Sequence, residues 1–405
     1  MADRVTVIGW DGSPLTEAAR AAMGAATMVA GARHHLGLAG IPPTATRVLV
    51  GSLPLAARRI AEHRGTAVVL ADGDPGFFGV VRALRRPEYG LEVEVVPAVS
   101  SVAAAFARAG MPWDDAKIVV AHQRTLRRAV NVCRAHHKVA VLTAPGAGPA
   151  ELALLLGDVH RTFVICEALG TEREEVSVLT SDKVADHIWR DPNVAIVIGG
   201  VSPAAGSDTG GWIAGQSTDY PGPRGWALPD ERYGAAGPQA TGGGAGAAER
   251  AFVLARLGPR VGDLLWDVGA GNGAVSVESA RFGAAVLAVE PDEQACARIA
   301  ATARHHGVQV AVVHGTAPQA LEDLPEPDVV RIGVGGAPVA AACASRRPER
   351  IVAPVATRGE AEAIRQALGS AGYLVEVELL HSASVLADGE QDGGSTSFVV
   401  CGELR

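Results

Sequence analysis

Two blocks of the chain alternate short β-branched runs with Ala-rich stretches, and a Gly/Pro-rich tract divides them. In the first block the runs are Val5 to Ile8, Ala67 to Leu70, Leu91 to Val96, Ile118 to Ala121, Val139 to Thr143, Phe163 to Cys166 and Val194 to Ile198. Strand-length runs separated by helix-length text predict an α/β domain with mostly parallel strands. Between Ser202 and Ala248 the text turns to Gly, Pro, Ser and Thr, with Gly242-Gly243-Gly244 in its midst. That composition predicts a linker. Its aromatics Trp212, Tyr220, Trp226 and Tyr233 are too apolar for a fully solvated coil, so part of it is expected to pack on a domain. Alternation then resumes with helix Glu249 to Leu257, strand Leu264 to Val268, a helix from about Ala274, strand Ala285 to Val289, helix Asp292 to His305 and strands Val308 to Val313 and Val329 to Ile332. Helix Glu360 to Ser370 and strands Leu374 to Leu380 and Ser397 to Cys401 complete it. The expected organisation is a domain over 1–202, a partly packed linker over 203–248 and a doubly wound domain with a terminal antiparallel pair over 249–405.

A length of 405 residues, nearly half of them apolar, suits two cores rather than one. The net charge is −8, and of 36 basic residues only Lys117, Lys138 and Lys183 are lysines. With both signs dispersed, no groove for nucleic acid is expected. Cys133, Cys166, Cys296, Cys343 and Cys401 are scattered without a CxxC pair, and no secretory leader precedes the first strand, so a cytoplasmic protein is expected. Apolar runs are too short for a membrane helix.

The segment Leu264 to Val275 reads as a buried strand, a glycine turn and a helix start: Leu-Leu-Trp-Asp-Val-Gly-Ala-Gly-Asn-Gly-Ala-Val. Glycines at Gly269, Gly271 and Gly273 let backbone approach a ligand closely, and the helix N-terminus offers free N–H groups to a carboxylate or phosphate. One strand later, Glu290 stands where an acid would hold a ribose diol. Gly269, Gly271 and Ala274 also satisfy the GxGxxA dinucleotide pattern, so an NAD-dependent oxidoreductase is one alternative and a plain βα turn another. Asp267, two residues before the first glycine, favours a ligand carrying an ammonium group over a nicotinamide. Ala270 belongs to the same candidate cofactor site.

In the first block, Gly73-Asp74-Pro75 follows a strand and precedes the aromatics Phe77 and Phe78. Pro75 fixes φ and Gly73 relieves crowding at the strand's ligand-binding edge. Ser13-Pro14 ahead of Glu17 predicts an N-cap and a helix start just after the first strand. Taken with Val95-Val96-Pro97-Ala98-Val99-Ser100-Ser101 and Gly110-Met111-Pro112-Trp113-Asp114, the Gly-Asp-Pro turn resembles the tetrapyrrole methylase fold, in its precorrin C5-methylating branch. The Leu265 to Gly273 and Val275 to Glu278 text resembles the C-terminal class I, Rossmann-like methyltransferase domain of precorrin-6Y methylases in cobalamin biosynthesis.

The resemblance implies S-adenosylmethionine as cofactor, one site per domain, with a tetrapyrrole as substrate. It places cofactor contacts at Gly73, Asp74, Pro75, Phe78, Ser100, Ser101 and Thr143 in the first domain. In the second it places them from Asp267 to Gly273, at Glu290 and at Gly315-Thr316-Ala317. Gly333, Gly335 and Gly336 match the family's glycine run facing the substrate. His122 and Arg124 stand where the branch has His-Gly-Arg, which suggests His122 for proton movement and Arg124 for substrate; Arg82 and Arg85 are further candidates to clamp substrate carboxylates. A homo-oligomer is expected because related domains assemble.

Four departures stand out: Gly9-Trp10-Asp11-Gly12-Ser13 for Gly-Ile-Gly-Pro-Gly, Ala98 for a glycine, Thr316 for an acid facing adenine, and Gly-rich text where Ile-Thr-Lys is expected before Glu249. They motivate a competing reading in which one half only binds tetrapyrrole. The pairs His34-His35, His136-His137 and His305-His306 have no carboxylate or Cys at ligand spacing, so solvated histidines rather than metal ligands are expected.

Overall fold

The computed structural model describes residues 4–200, 225–233, 246–385 and 391–405. Trp212, Tyr220 and Gly242-Gly243-Gly244 lie outside them. The chain opens with β1 (Arg4–Trp10), α1 (Glu17–Gly24), β2 (Met28–Gly31), β3 (Thr46–Leu49), α2 (Leu53–Glu62), β4 (Ala67–Asp72), α3 (Val80–Leu84) and β5 (Glu92–Val96). Their sheet has the order β3-β2-β4-β1-β5 and is parallel throughout. The start of α1 differs from expectation. Thr16, not Ser13, caps it by accepting from Ala19 N, because the helix begins at Glu17, while Ser13 N donates to the Asp11 carboxylate at 3.0 Å.

α4 (Ser101–Ala109) leads to a second sheet built from β6 (Lys117–Val120), β7 (Lys138–Leu142), β8 (Thr162–Glu167), β9 (Glu175–Thr180) and β10 (Asn193–Ile198). Its helices are α5 (Leu126–Ala135), α6 (Pro149–Leu156) and α7 (Ser181–Ala185). Here the expectation of mostly parallel strands is corrected: in the order β6-β7-β10-β8-β9 only β6 and β7 run parallel. The connection from β8 to β9 spans residues 168–174, too short for the crossover that a parallel pair needs.

The third sheet is the doubly wound one. Its elements are α8 (Ala247–Leu257), β11 (Leu264–Val268), α9 (Ala274–Arg281), β12 (Ala285–Glu290), α10 (Glu293–His305), β13 (Ala311–His314) and β14 (Val329–Ile332), then α11 (Gly336–Ser345), β15 (Arg350–Val355), α12 (Arg358–Ser370), β16 (Tyr373–Val385) and β17 (Gln391–Leu404). The order is β13-β12-β11-β14-β15-β17-β16, parallel except for β17, which runs against both neighbours. β11 is buried along its whole length. Leu264, Trp266 and Val268 pack with Val339, Ile364 and Leu368 of α11 and α12, while Leu265 packs with Val253, Leu254 and Leu257 of α8. Two-residue alternation thus feeds helices on both faces, as a parallel sheet requires.

Over 225–233 the Gly/Pro-rich tract packs in part, through buried Ala227, Leu228 and Tyr233. Trp226 stacks on Phe282 at 4.0 Å and Tyr233 is buried against α9. α5 of the second sheet meets the domain of the third sheet directly: Asn131 Nδ2 donates to Gly262 O at 3.0 Å, and Arg127 pairs with Asp328 at 2.7 Å. Gly262 and Asp328 precede β11 and β14, so this contact uses the sheet edge opposite the glycine turn.

Candidate functional site

Parallel pairing brings the ends of β1 and β4 side by side, with Trp10 and Asp72 as Cα partners. Beyond those ends lies a cavity of about 930 Å³ between the first two sheets, at the upper end of the ~300–1,000 Å³ typical of small-molecule sites. Gly73, Asp74, Pro75 and Phe78 after β4, Ser100 and Ser101 at the start of α4, and Thr143 after β7 all line it. Gly73 has φ 61°, and a Cβ there would sit 2.7 Å from Ser101 N, so the turn is packed against α4. Ser100 caps α4 by accepting from Val102 N. Thr143 donates its hydroxyl to Asn193 at 2.7 Å. Phe78 holds φ 58°, an uncommon conformation for an aromatic, and is exposed at the cavity mouth.

His122, Arg124, Arg82 and Arg85 are exposed and none is part of the cavity wall. The wall reaches Val80 on the α3 side and Val120 on the β6 side and stops there. It includes instead residues that motif spacing does not single out. His34 and His35 both reach Asp72 Oδ1, at 2.8 and 2.9 Å, and His35 is 1% exposed. The expectation of solvated histidines is corrected for this pair. Sequence spacing hides the carboxylate, because it arrives from the neighbouring strand β4. His137 likewise pairs with Asp115 at 3.0 Å, and burial pushes the His136 imidazole down to about 4. His306 meets Arg232 O at 3.1 Å and stacks on Tyr233.

At the third sheet, Gly269, Gly271 and Gly273 all have positive φ, which lets β11 turn into α9. The Glu290 carboxylate reaches across from β12: Oε2 accepts from Gly271 N at 2.7 Å and Oε1 from Asp292 N at 3.2 Å. A Cβ on Gly271 would meet nothing within 4 Å, so the turn is open on that side. These bonds join the acid to the turn. Asp267 has a different task from the one expected of it. It is fully buried, and its oxygens accept from Ser276 Oγ at 2.6 Å and Arg331 Nη1 at 3.1 Å. Arg331 also donates to Gly269 O at 2.8 Å, so Asp267 holds the turn's shape from beneath. No sequence motif marks Arg331, and the Val275 to Glu278 text that contains Ser276 gives it no role, since each acts through Asp267.

Gly315 N donates to Glu290 O at 3.0 Å, which sets Gly315-Thr316-Ala317 beside the acid. Gly333 is packed too tightly for a shelf, since a Cβ would lie 2.6 Å from Gly269 O; Gly335 is closed by Val339, and Gly336 alone of the three faces open space. Ala270 is buried at the turn.

Residues 10–185 match the model described as tetrapyrrole (corrin/porphyrin) methylases, and residues 245–390 match the precorrin methyltransferase domain. A precorrin-6Y C(5,15)-methyltransferase (decarboxylating) from Sinorhizobium sp is 33% identical over 340 residues, covering 81% of this chain and 77% of the relative. The chain belongs to this family. The precorrin-6Y C(5,15)-methyltransferase (decarboxylating) of Mycobacterium tuberculosis (strain CDC 1551 / Oshkosh) is 31% identical, covering 82% of this chain and 80% of the relative. Among solved structures, the C-terminal domain of precorrin-6Y C5,15-methyltransferase from Rhodobacter capsulatus is 29% identical, covers 44% of this chain and 97% of its own, and aligns with a TM-score of 0.38. Tetrapyrrole methylases take their methyl group from S-adenosylmethionine.

One departure from the family pattern, the stretch Gly9 to Ser13, has a structural explanation. Gly12, which stands where the family pattern has proline, is glycine because it touches the β8 to β9 loop: a Cβ there would fall 1.7 Å from Gly170 O. Asp11, in the stretch that departs, accepts from Val99 N at 3.0 Å and so ties the β1 loop to the segment before α4. Burial works against ionisation of Asp11, but the backbone N–H groups of Ser13 and Val99 outweigh it and hold its carboxyl below the usual value. Trp10 lies against His34 and His35, with ring centroids 6.1 and 5.9 Å away. The added bulk of Trp10 and Asp11 therefore builds the cavity's wall. Among the described residues, no helix is long and apolar enough to cross a membrane.

Proposed function

We propose that the chain is a two-site enzyme that methylates precorrin-6Y at C5 in the domain over 1–202 and at C15, with decarboxylation of the ring-C acetate, in the domain over 249–405. The observation that carries this reading is the presence of two separate strand-edge sites in one chain, the cavity at Gly73-Asp74-Pro75 and the Glu290-braced turn at Gly269 to Gly273. Each site has features that fit S-adenosylmethionine. The Glu290 carboxylate suits a ribose diol beside the open Gly271, and the first cavity offers apolar walls with polar groups at Asp74, Ser101 and Thr143. Gly315 to Ala317 would face the adenine.

S-adenosylmethionine supplies an activated methyl group when bound. The protein's task is to align it with an electron-rich ring carbon and to exclude water. A tetrapyrrole exceeds what the first cavity holds beside a cofactor, so part of it overhangs the mouth, where exposed Arg82, Arg85 and Arg124 would meet its carboxylates; Arg173, which is on the wall, would meet one inside. In the second domain Gly336 would face the substrate. The direct contact between the domains uses the edge opposite the glycine turn, which favours release of the intermediate from one site before it enters the other. Residence in the cytoplasm and assembly as a homo-oligomer belong to the same reading.

Calorimetric titration of the whole chain with S-adenosylhomocysteine tests it. Two binding events per chain are expected, and a single event would refute one site per domain.

A further inference from the structure

A methyl group delivered as a cation equivalent to a neutral carbon leaves one proton too many on the product. The S–CH3 bond breaks with its electron pair going to sulfur, and the new C–CH3 bond uses a pair from the substrate. An N–H or C–H bond conjugated with that carbon must then return its pair to the macrocycle and release H⁺. Something in the first cavity has to receive that proton. His122, the candidate suggested by resemblance, is outside the wall.

His34 is on the wall, together with its partners. Its Nε2 lies 2.8 Å from Asp72 Oδ1. A carboxylate is acceptor-only, so Nε2 carries the ring hydrogen and donates. Burial works against ionisation of Asp72, but hydrogen bonds and charge from His35 and His34 outweigh it and hold the carboxyl below its usual value. In the neutral ring that leaves a lone pair on Nδ1, which has no hydrogen-bond partner among the described residues. This is the logic of a carboxylate-oriented histidine base. His35 fixes the carboxylate from the other side: it is buried, donates Nε2–H to the same oxygen at 2.9 Å and accepts from Ala32 N at Nδ1, 3.2 Å away. The ring of His34 is further held between His35, at 4.0 Å, and Trp10.

The same three side chains are close enough together to hold a metal ion, but the ring of His35 opposes it. With Nδ1 accepting from a backbone N–H, its Nε2 bears the hydrogen and has no lone pair for a cation, whereas a ligating histidine donates through its other nitrogen.

We propose that His34 is the base that takes the proton released in the C5 methyl transfer, with Asp72 and His35 as its positioning residues. The inference rests on the C5 activity proposed above. Single-turnover methylation by the full chain, with the methyl located by ¹³C NMR of the product, tests both. Wild type is expected to form C5-methyl product and His34→Ala to form it about 10²- to 10⁴-fold more slowly, with S-adenosylhomocysteine affinity unchanged. Substituted imidazoles should restore the rate in order of their basicity, which a packing role for His34 would not produce. Independently of activity, ¹⁵N NMR of the ligand-free protein should report His34 protonated at Nε2 and bare at Nδ1, and Asp72→Asn should disturb that tautomer. A His34→Ala rate within threefold of wild type, or wild-type activity that chelators abolish and zinc restores, overturns the proposal. No C5 product from wild type sinks the C5 reading itself and this inference with it.

Discussion

Replacing Glu278 with alanine is expected to cost the C-terminal domain about 3–5 kcal/mol, the usual penalty for stranding one member of a buried ion pair. Glu278 is fully buried on α9, and Arg281, 4% exposed, donates to both its oxygens at 2.9 Å. The Tyr233 hydroxyl and Leu228 N donate to the same carboxylate. Arg250 closes the group, lying 4.8 Å over the Tyr233 ring and donating to Asp230 at 2.7 Å. Burial, reinforced by the Glu278 carboxylate, pushes the Tyr233 phenol well up, so it stays a donor at any ordinary pH. The alanine variant removes the carboxylate partner of Arg281 and the acceptor of Tyr233 and Leu228, which loosens 225–233 although Trp226 on Phe282 and Arg250 to Asp230 still hold it. Urea denaturation should show a lower midpoint for the C-terminal transition and, since the Tyr233 hydroxyl has already lost its acceptor in the variant, little additional change on deleting that hydroxyl. A loss under 1 kcal/mol would mean that the network contributes only locally.

The second large effect is on binding. Glu290→Ala removes the acceptor of Gly271 N and Asp292 N and the group proposed to hold a ribose diol. Hydrogen bonds to a charged partner are each worth about 1.5–3 kcal/mol, so S-adenosylhomocysteine should bind the C-terminal site roughly 10- to 150-fold more weakly. Titration of the variant should show the N-terminal event unchanged beside the weakened one. Equal weakening of both events would place Glu290's effect in the fold rather than in a site.

Much of the third sheet is legible in the sequence, because β11 states its own context: an apolar strand, a glycine turn and a helix, with Glu290 at the end of the next strand. The underside of the turn is not. Asp267 resembles a ligand contact in the sequence, yet Ser276 and Arg331 take both of its oxygens. Gly333 looks like part of a shelf, yet it is glycine because Gly269 O and the Arg331 guanidinium fill the space. The glycine spacing by itself leaves a dinucleotide open; the matched relatives resolve it.

In the first domain β2, ending in Ala30-Gly31, and β3, carrying Arg47, lack the continuous β-branched run that marks the other strands. The second sheet looks parallel in sequence because its strand and helix runs alternate as they do in a parallel fold, and the corrective signal is the short β8 to β9 connection. The histidine pair His34-His35 shows the deeper limit. Its carboxylate is remote in sequence, and only the parallel pairing of β2 with β4 brings them together. Local spacing cannot report a partner delivered by an adjacent strand.

The most direct test of the two-site reading is the product mass obtained when the intact chain is given precorrin-6Y and excess S-adenosylmethionine. The expected product gains two methyl groups and loses one carbon dioxide, with two molecules of S-adenosylhomocysteine formed per product. A product with a single added methyl, or one that retains the acetate carboxyl, would contradict that reading.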